Sequence, residues 1–425
     1  MESNGKREDL GERPLTIAMV VDSVGNQGNG TSNSALQWAR ELERQGHTVR
    51  LVGVGAPVYA AKIHHVPLAS WVAAKQQMQF AEPDDALFRA AFDGVDVVHI
   101  YMPFAFGRRA AAVACRMGIP VTAGYHVQPE NVLYSAGPLR FIPGLPHLIY
   151  RLFHHWLYQG IRHIHVPTDM TARLLRENGY HAKLHVISNG YSPQFTPRNV
   201  DAESGFEAGA ETGEGHAGGY AGGYAGGYAG AHTEAHADSA RDAGSEPFRI
   251  IASGRLTHEK DHITLIKAIG LSRHANEIEL VIAGAGPLKR YLRIQSNRRL
   301  KRPASIGFHR NADMPELLRS GDLFVHCSIA DIESISVIEA MACGLVPVIA
   351  VSDLSAASHF ALLPQSTFPV RDPAALAQRI DWWIEHPEER TAWSQRYARH
   401  TKERYSVESS VKAFVAMERE AIADR

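Results

Sequence analysis

Asp331-Ile-Glu-Ser-Ile-Ser-Val-Ile-Glu339, followed by Ala340-Met-Ala-Cys-Gly-Leu-Val-Pro-Val-Ile-Ala350, decides how this chain is read. Two carboxylates, Asp331 and Glu339, stand eight residues apart around the start of a helical pattern. Gly344 closes that pattern, and an apolar strand follows. An acidic residue just before a helix and another two turns in can both face one ligand. The free N–H groups of the helix start face it too. Such a site suits a ligand that offers hydroxyls to carboxylates and phosphates to amides and cations, as a sugar nucleotide does.

Working outward, strand and helix signals alternate along the chain. Apolar strands are expected at Thr16–Val21, Val49–Val54, Val95–Ile100, Pro120–Ala123, His163–Val166 and His185–Ser188. A second series follows at Phe248–Ala252, Glu279–Ala283, Leu323–Cys327 and Val346–Ala350. Helical periodicity fills many of the gaps, for example Ser34–Gln45 before Gly46, and Met314–Arg319. Strands separated by helices imply parallel sheets with right-handed crossovers. Between the two series, residues 201–246 are rich in Gly, Ala, His, Glu and Asp and repeat Ala-Gly-Gly-Tyr, ending at Tyr220, Tyr224 and Tyr228. That composition buries too little apolar surface to offset ordering entropy, so it reads as a disordered linker or loop. The organisation expected is therefore 1–195 as one Rossmann-like half, 200–246 as linker and 247–385 as a second half. Residues 386–425 are expected to form amphipathic helices that cross back to the first half. A cleft between the halves is the expected ligand site.

The bulk numbers narrow the classes. The chain has 425 residues, 45% hydrophobic and 21% charged, with a net charge of −1. That is the balance of a globular protein with no global field for nucleic acid. Cys115, Cys327 and Cys343 are odd in number and lack metal-ligand spacing, and Cys327 and Cys343 lie in apolar runs as packed thiols. A reducing cytosol fits them. The polar first 13 residues lead into no signal-peptide core, and no charge-free run of about 18 apolar residues is found, so membrane contact is expected to be peripheral.

Several loops at strand ends carry candidate chemistry. Gly25-Asn-Gln-Gly-Asn-Gly-Thr-Ser32 runs from the first strand into a helix, and puts Gly28, Gly30 and Thr31 where backbone can approach a phosphate, or forms a plain capped turn. Gly124-Tyr-His126-Val-Gln-Pro-Glu130-Asn131 lies at a carboxyl edge, where α/β proteins bind ligands. His126 there is a hydrogen-bonding group for a sugar hydroxyl or leaving phosphate, or a structural histidine. Ser253-Gly-Arg255-Leu-Thr-His-Glu-Lys260 offers two cations five residues apart, a clamp for a diphosphate, with Ser253 and Gly254 at the turn; a solvated charge run is the plainer reading. Gly284-Ala-Gly286-Pro287 either brings backbone to a nucleotide through Gly286 or turns the chain into a helix.

Two stretches point to a surface partner. Residues 289–302 carry Lys289, Arg290, Arg293, Arg298, Arg299, Lys301 and Arg302 with no acid. Against anionic lipid each is worth about 1 kcal/mol; as a solvated helix face they are worth nothing special. Leu139–Tyr158 mixes Phe141, Trp156 and other apolar residues with Arg140, Arg151, His154 and His155, the pattern of an interfacial helix or of a buried core helix. Asp-x-Asp and the phosphate-binding Gly-x-x-x-x-Gly-Lys-[Ser/Thr] are both absent, which speaks against a metal-chelated diphosphate site of that type and a P-loop NTPase.

Together, the glycine loop at Gly28–Ser32, His126, the Arg255/Lys260 pair and the acidic pair with Glu-Ala-Met-Ala-Cys-Gly resemble the retaining glycosyltransferases of the GT-B fold, family 4, nearly end to end. The resemblance implies two Rossmann-like α/β domains with parallel sheets facing across a cleft. It assigns Asp331 to the donor sugar's hydroxyls, Glu339 to the nucleotide ribose, and the backbone around Ser334, Ile335 and Ser336 to the sugar or phosphate. The family usually has Glu at the position of Asp331, and commonly Phe-Gly where this chain has Glu333-Ser334, which brings a further carboxylate to the donor. Within the family, Ile-Glu-Ser-Ile-Ser and His-Val-Gln-Pro-Glu-Asn are similar to bacterial 1,2-diacylglycerol 3-glucosyltransferases. The function so implied is a metal-independent, retaining hexosyltransferase without cofactor. It would use UDP-glucose as donor and diacylglycerol as acceptor at the inner face of the cell membrane, with catalysis by Arg255, Lys260, His126 and Asp331. The alternatives are phosphatidylinositol or a soluble glycan as acceptor, a sugar-nucleotide epimerase, and a non-catalytic sugar-nucleotide-binding scaffold.

Overall fold

The computed structural model describes residues 13–24, 30–66, 70, 79–135, 137–198 and 246–425. Gly28 of the glycine loop and residues 200–245 of the expected linker, with the tyrosine repeats, lie outside the described residues.

Two parallel sheets form the fold. The first has strands β1 (Thr16–Ser23), β2 (Thr48–Val54), β3 (Tyr59–Ala60), β4 (Val97–Ile100), β5 (Val121–Gly124), β6 (His163–Val166) and β7 (Lys183–Val186), in the order β3-β2-β1-β4-β5-β6-β7. The second has β8 (Phe248–Ser253), β9 (Ile278–Ala283), β10 (Ser305–Gly307), β11 (Leu323–His326), β12 (Val346–Val351) and β13 (Thr367–Pro369), in the order β10-β9-β8-β11-β12-β13. Each order reverses beside its first strand, between β1 and β4 and between β8 and β11. In doubly wound sheets the ligand crevice opens at the carboxyl ends of the strands at that reversal. The registers are parallel throughout, as in Ile17 opposite Val97 and Ile250 opposite Leu323.

Strands covered on both faces read as continuous apolar runs. In β1 every residue after Thr16 is buried, and β4, β6 and β11 are buried along their whole length. These runs made the strands visible in sequence. The expected His185–Ser188 instead begins two residues earlier, at Lys183. As an edge strand β7 exposes Lys183 and Val186, so it lacks the apolar signature of its neighbours. The three-residue strands β10 and β13 carry too short a pattern to be seen.

The last helix, Val407–Ala423, packs on the first sheet rather than on the second. Phe414 meets Trp38 at 4.8 Å between ring centroids, and Val407, Val411, Val415 and Met417 join the same buried cluster as Ile17, Met19 and Val97. Burying a side chain the size of Phe414 is worth about 1.5–3 kcal/mol. The Tyr191 N–H donates to the Tyr405 carbonyl at 3.1 Å where the chain re-enters the first half.

Candidate active site

The acidic stretch builds its site through backbone geometry. Asp331 ends a short strand, Ala330–Asp331, paired with Leu354–Ser355, and the helix Ile335–Ala342 starts four residues later. Ser334, the N-cap, sits in the left-handed region at φ 66°, which costs a non-glycine residue about 1–3 kcal/mol and collects at functional sites. Its N–H donates to Asp331 Oδ1 at 3.1 Å, and its buried hydroxyl has no hydrogen-bond partner among the described residues. Gly344 (φ 81°) ends the helix, and β12 follows.

Asp331 is the electrostatic centre. Its Oδ2 accepts from Lys260 Nζ and lies 3.3 Å from His326 Nε2 at the end of β11. Burial would raise the Asp331 carboxyl, but the Lys260 and His326 charges and hydrogen bonds overcome it and hold the group well below the usual carboxylate range. Arg255 is paired too, its Nη2 lying 3.1 Å from Oε1 of buried Glu259, which also accepts from the Thr257 hydroxyl at 2.6 Å. Each cation of the expected clamp thus balances a carboxylate. The clamp joins β8 to the acidic stretch, with Ile329 N–H donating to the Glu259 carbonyl at 2.7 Å.

Glu333 and Glu339 differ sharply. Glu333 reaches the other half of the fold. Its Oε1 accepts from the Ser188 hydroxyl at 2.7 Å and the Asn189 N–H at 2.6 Å, and its Oε2 accepts from Asn189 Nδ2. Burial, the largest effect, raises it to about 7 against those three donors. Glu339 is half-buried, its carboxylate makes no hydrogen bond or ion pair among the described residues, and burial raises it to about 8.

A cleft of about 1680 Å³ gathers most of the expected residues: Gly30 and Thr31, His126, Ser253 to Arg255 with Lys260, and Asp331, Glu333 to Ser336 and Glu339. Gly286 is outside the lining, and its neighbours Gly284 and Ala285 line the cleft instead. A Cβ on Gly286 would come within 2.6 Å of the Leu256 carbonyl oxygen, so this glycine serves close packing of two turns. Lys289, Arg290, Arg293, Arg298 and Arg299 stand on the helix Lys289–Arg299, all exposed, away from the lining and without an ion pair among the described residues. Phe141 and Trp156 are also outside the lining, 71% and 44% exposed. Their neighbours Leu139, Leu145, Ile149, Leu152 and Phe153 give the cleft an apolar wall.

His126 lies on the cleft floor, stacked on Tyr101 at 5.0 Å between centroids. Burial, helped by His165 and His99, keeps its imidazole neutral, well below the ordinary histidine range. Sequence reasoning missed Ser188, Asn189, Glu259 and His326 as parts of the site. His326 was legible in principle, since it ends a strand at a carboxyl edge. The Ser188 and Asn189 pairing with Glu333 joins positions 144 or more residues apart, and no local pattern carries it.

Comparison with known proteins agrees with this architecture. Residues 28–195 match the family model Glycosyltransferase Family 4, and residues 236–400 match Glycosyl transferases group 1, together well over half of the chain. The chain belongs to the group 1, family 4 glycosyltransferases. In this family, a GDP-mannose-dependent alpha-mannosyltransferase of Corynebacterium glutamicum is 24% identical over 203 residues, which are 44% of this chain and 46% of that one, so the chain spans about half the length of this curated relative. Among solved structures, sucrose-phosphate synthase from Thermosynechococcus elongatus is similar with a TM-score of 0.66 and 14% identity, over 97% of this chain and 100% of that one. Anabaena HepE, in complex with UDP and glucose, is similar with a TM-score of 0.63 and 14% identity, over 95% and 98%. These likenesses establish the fold of this family 4 member as GT-B.

Proposed function

We propose that the protein is a retaining, metal-independent hexosyltransferase that moves glucose from UDP-glucose to a membrane lipid, diacylglycerol, while bound peripherally at the inner face of the cell membrane. The observation that carries this reading is the two-sided cleft. One wall presents Lys260, Arg255, Glu339 and the helix start at Ile335, the other Leu139, Leu145, Ile149, Leu152 and Phe153. The first wall suits a sugar nucleotide, as HepE binds UDP and glucose. The second suits an acyl chain. It continues into exposed apolar residues of the helix Leu145–Trp156, with Leu148, Leu152 and Trp156 each about half exposed, and no helix among the described residues is long and apolar enough to cross a membrane.

In this reading Lys260, Arg255 and the helix-start amides stabilise the charge growing on the diphosphate as it leaves. Asp331 and Ser334 hold the sugar, and Glu339 accepts from the ribose hydroxyls. The acceptor hydroxyl attacks the face from which the diphosphate departs, and the leaving phosphate takes its proton. His126 faces the donor from the floor. Closure of the halves keeps out the water that would hydrolyse the donor.

A panel of UDP-glucose, UDP-galactose, UDP-GlcNAc and GDP-mannose against diacylglycerol, phosphatidylinositol and soluble sugars, read by product mass and anomeric NMR, tests it. An α-glucosyl lipid from UDP-glucose is expected. Turnover on a soluble sugar without flotation on anionic vesicles removes the lipid acceptor, and epimerisation of UDP-GlcNAc with no acceptor present makes the protein an epimerase.

A further inference from the structure

Behind the cleft floor, three imidazoles meet in the interior of the first sheet. His99 lies on β4, His165 on β6, and His126 just beyond β5. One nitrogen of each, His99 Nε2, His126 Nε2 and His165 Nδ1, is buried without a hydrogen-bond partner among the described residues. The three rings each bring a ligand nitrogen within 4.8 Å of those of the other two. A buried polar atom left unmade costs about 1–3 kcal/mol. Three such atoms on one cluster of rings therefore need a common explanation.

The outer nitrogens say what kind of partner is missing. His165 Nε2 donates to the Ile187 carbonyl at 2.7 Å, so a neutral His165 carries its proton there and turns a bare lone pair inward from Nδ1. His99 Nδ1 lies 2.8 Å from Thr122 Oγ1 and 3.1 Å from Glu418 Oε1, while the Thr122 hydroxyl itself donates to that carboxylate at 2.8 Å. Both partners therefore accept from His99 Nδ1, and a neutral His99 turns a second bare lone pair inward from Nε2. Two fixed lone pairs facing one point repel each other unless a cation or donor sits between them. The carboxylate behind His99 and the carbonyl behind His165 are also of the kind that orients histidine ligands of a metal.

The space is made by sequence as well. A Cβ on Gly124 would lie 2.3 Å from His126 Nε2 and 3.3 Å from His99 Nε2. Gly124 does not have a positive φ, so its backbone does not demand glycine. The missing side chain instead leaves room between the rings.

We propose that His99, His126 and His165 form a binding site for a divalent transition metal, held through Nε2, Nε2 and Nδ1. Three neutral imidazoles with a further position open are a ligand set of zinc, and imidazole also suits copper, nickel and iron. The ion joins three adjacent strands to the last helix through Glu418, and fixes the ring of His126 beneath the cleft. It takes no part in the glycosyl transfer step.

A second histidine group is the control. His163 Nδ1 lies 3.0 Å from His185 Nε2, and His163 Nε2 lies 3.0 Å from Asp424, beside half-buried Glu420. Those nitrogens already have partners. The test uses untagged full-length chain stripped with chelator and titrated with Zn²⁺ and Co²⁺ alone, read by calorimetry, metal analysis and the visible spectrum of bound Co²⁺. One ion per chain is expected in the wild type and in His185→Ala, with the strong absorption of four-coordinate Co²⁺. Gly124→Ala, which keeps every ligand, and His165→Ala lose it, with folding followed by circular dichroism. If His185→Ala binds no metal, or Gly124→Ala binds it as wild type does, the three-imidazole site is overturned and a trapped water takes its place.

Discussion

Replacing Glu333 by Gln separates burial from hydrogen bonding at the contact between the two halves. Wild-type Glu333 is raised from 4.5 to about 7 by burial. A carboxyl whose folded pKa lies above its unfolded value takes up a proton on folding. The stability it contributes is therefore full below about pH 4.5 and is lost as pH rises through 7. At about 1.4 kcal/mol per pH unit, roughly 3 kcal/mol disappears between pH 5 and 8. Gln cannot titrate, and it mimics the protonated acid. Its amide would face Asn189 Nδ2, but Asn189 Oδ1 is buried with no partner among the described residues, so turning the Asn189 amide restores a donor–acceptor pair. Glu333→Gln should therefore match wild type within about 1 kcal/mol at pH 5 and exceed it by about 2–3 kcal/mol at pH 8. Glu333→Ala strands the Ser188 hydroxyl and the two Asn189 donors, at about 1–3 kcal/mol each, and should be severely destabilised at both pH values. Urea midpoints for the three proteins at pH 5 and 8 measure this. Parallel pH profiles for wild type and Glu333→Gln would mean that the three donors keep Glu333 ionised, and the reasoning from burial would fail.

Three further outcomes follow from the proposed chemistry. Lys260→Ala should lower turnover at least about tenfold with unchanged circular dichroism, because it removes a cation from the leaving group and strips Asp331 of its nearest partner; near-normal turnover takes Lys260 out of the mechanism. Glu339, raised by burial to about 8, accepts from both ribose hydroxyls, and most strongly, when ionised, so UDP affinity by calorimetry should climb from pH 6 to 9 in wild type more steeply than in Glu339→Gln; the same slope in both proteins refutes that role. The pair Phe141→Asp and Leu152→Asp, at exposed apolar positions, should abolish flotation with anionic vesicles while leaving UDP binding intact; unchanged flotation moves the membrane contact elsewhere.

Much of this architecture was written locally. Runs such as Thr16–Val21 and Leu323–Cys327 announce strands because both their faces are covered, and Met314–Arg319 is the helix its periodicity indicates. The Asp331 to Glu339 stretch was legible because one loop and one helix start carry both carboxylates. What stayed hidden lies across the fold. Glu333 reads as one more acid beside the donor, and only the folded chain shows its oxygens taken up by Ser188 and Asn189. Glu259 looks like part of a charge run until Arg255 closes on it. Three histidines spread over sixty-six positions carry no spacing signal, because adjacent parallel strands, not sequence neighbours, bring their rings together.

The return of Val407–Ala423 to the first sheet has a consequence for how the protein is made. Trp38 and Thr122 cannot meet Phe414 and Glu418 until that helix has left the ribosome, more than two hundred residues after β7. At about 5–20 residues per second that is on the order of ten to forty seconds of translation. During that interval one face of the nascent first half lacks its cover, and binding by a chaperone would compete with the incoming helix for the same apolar surface.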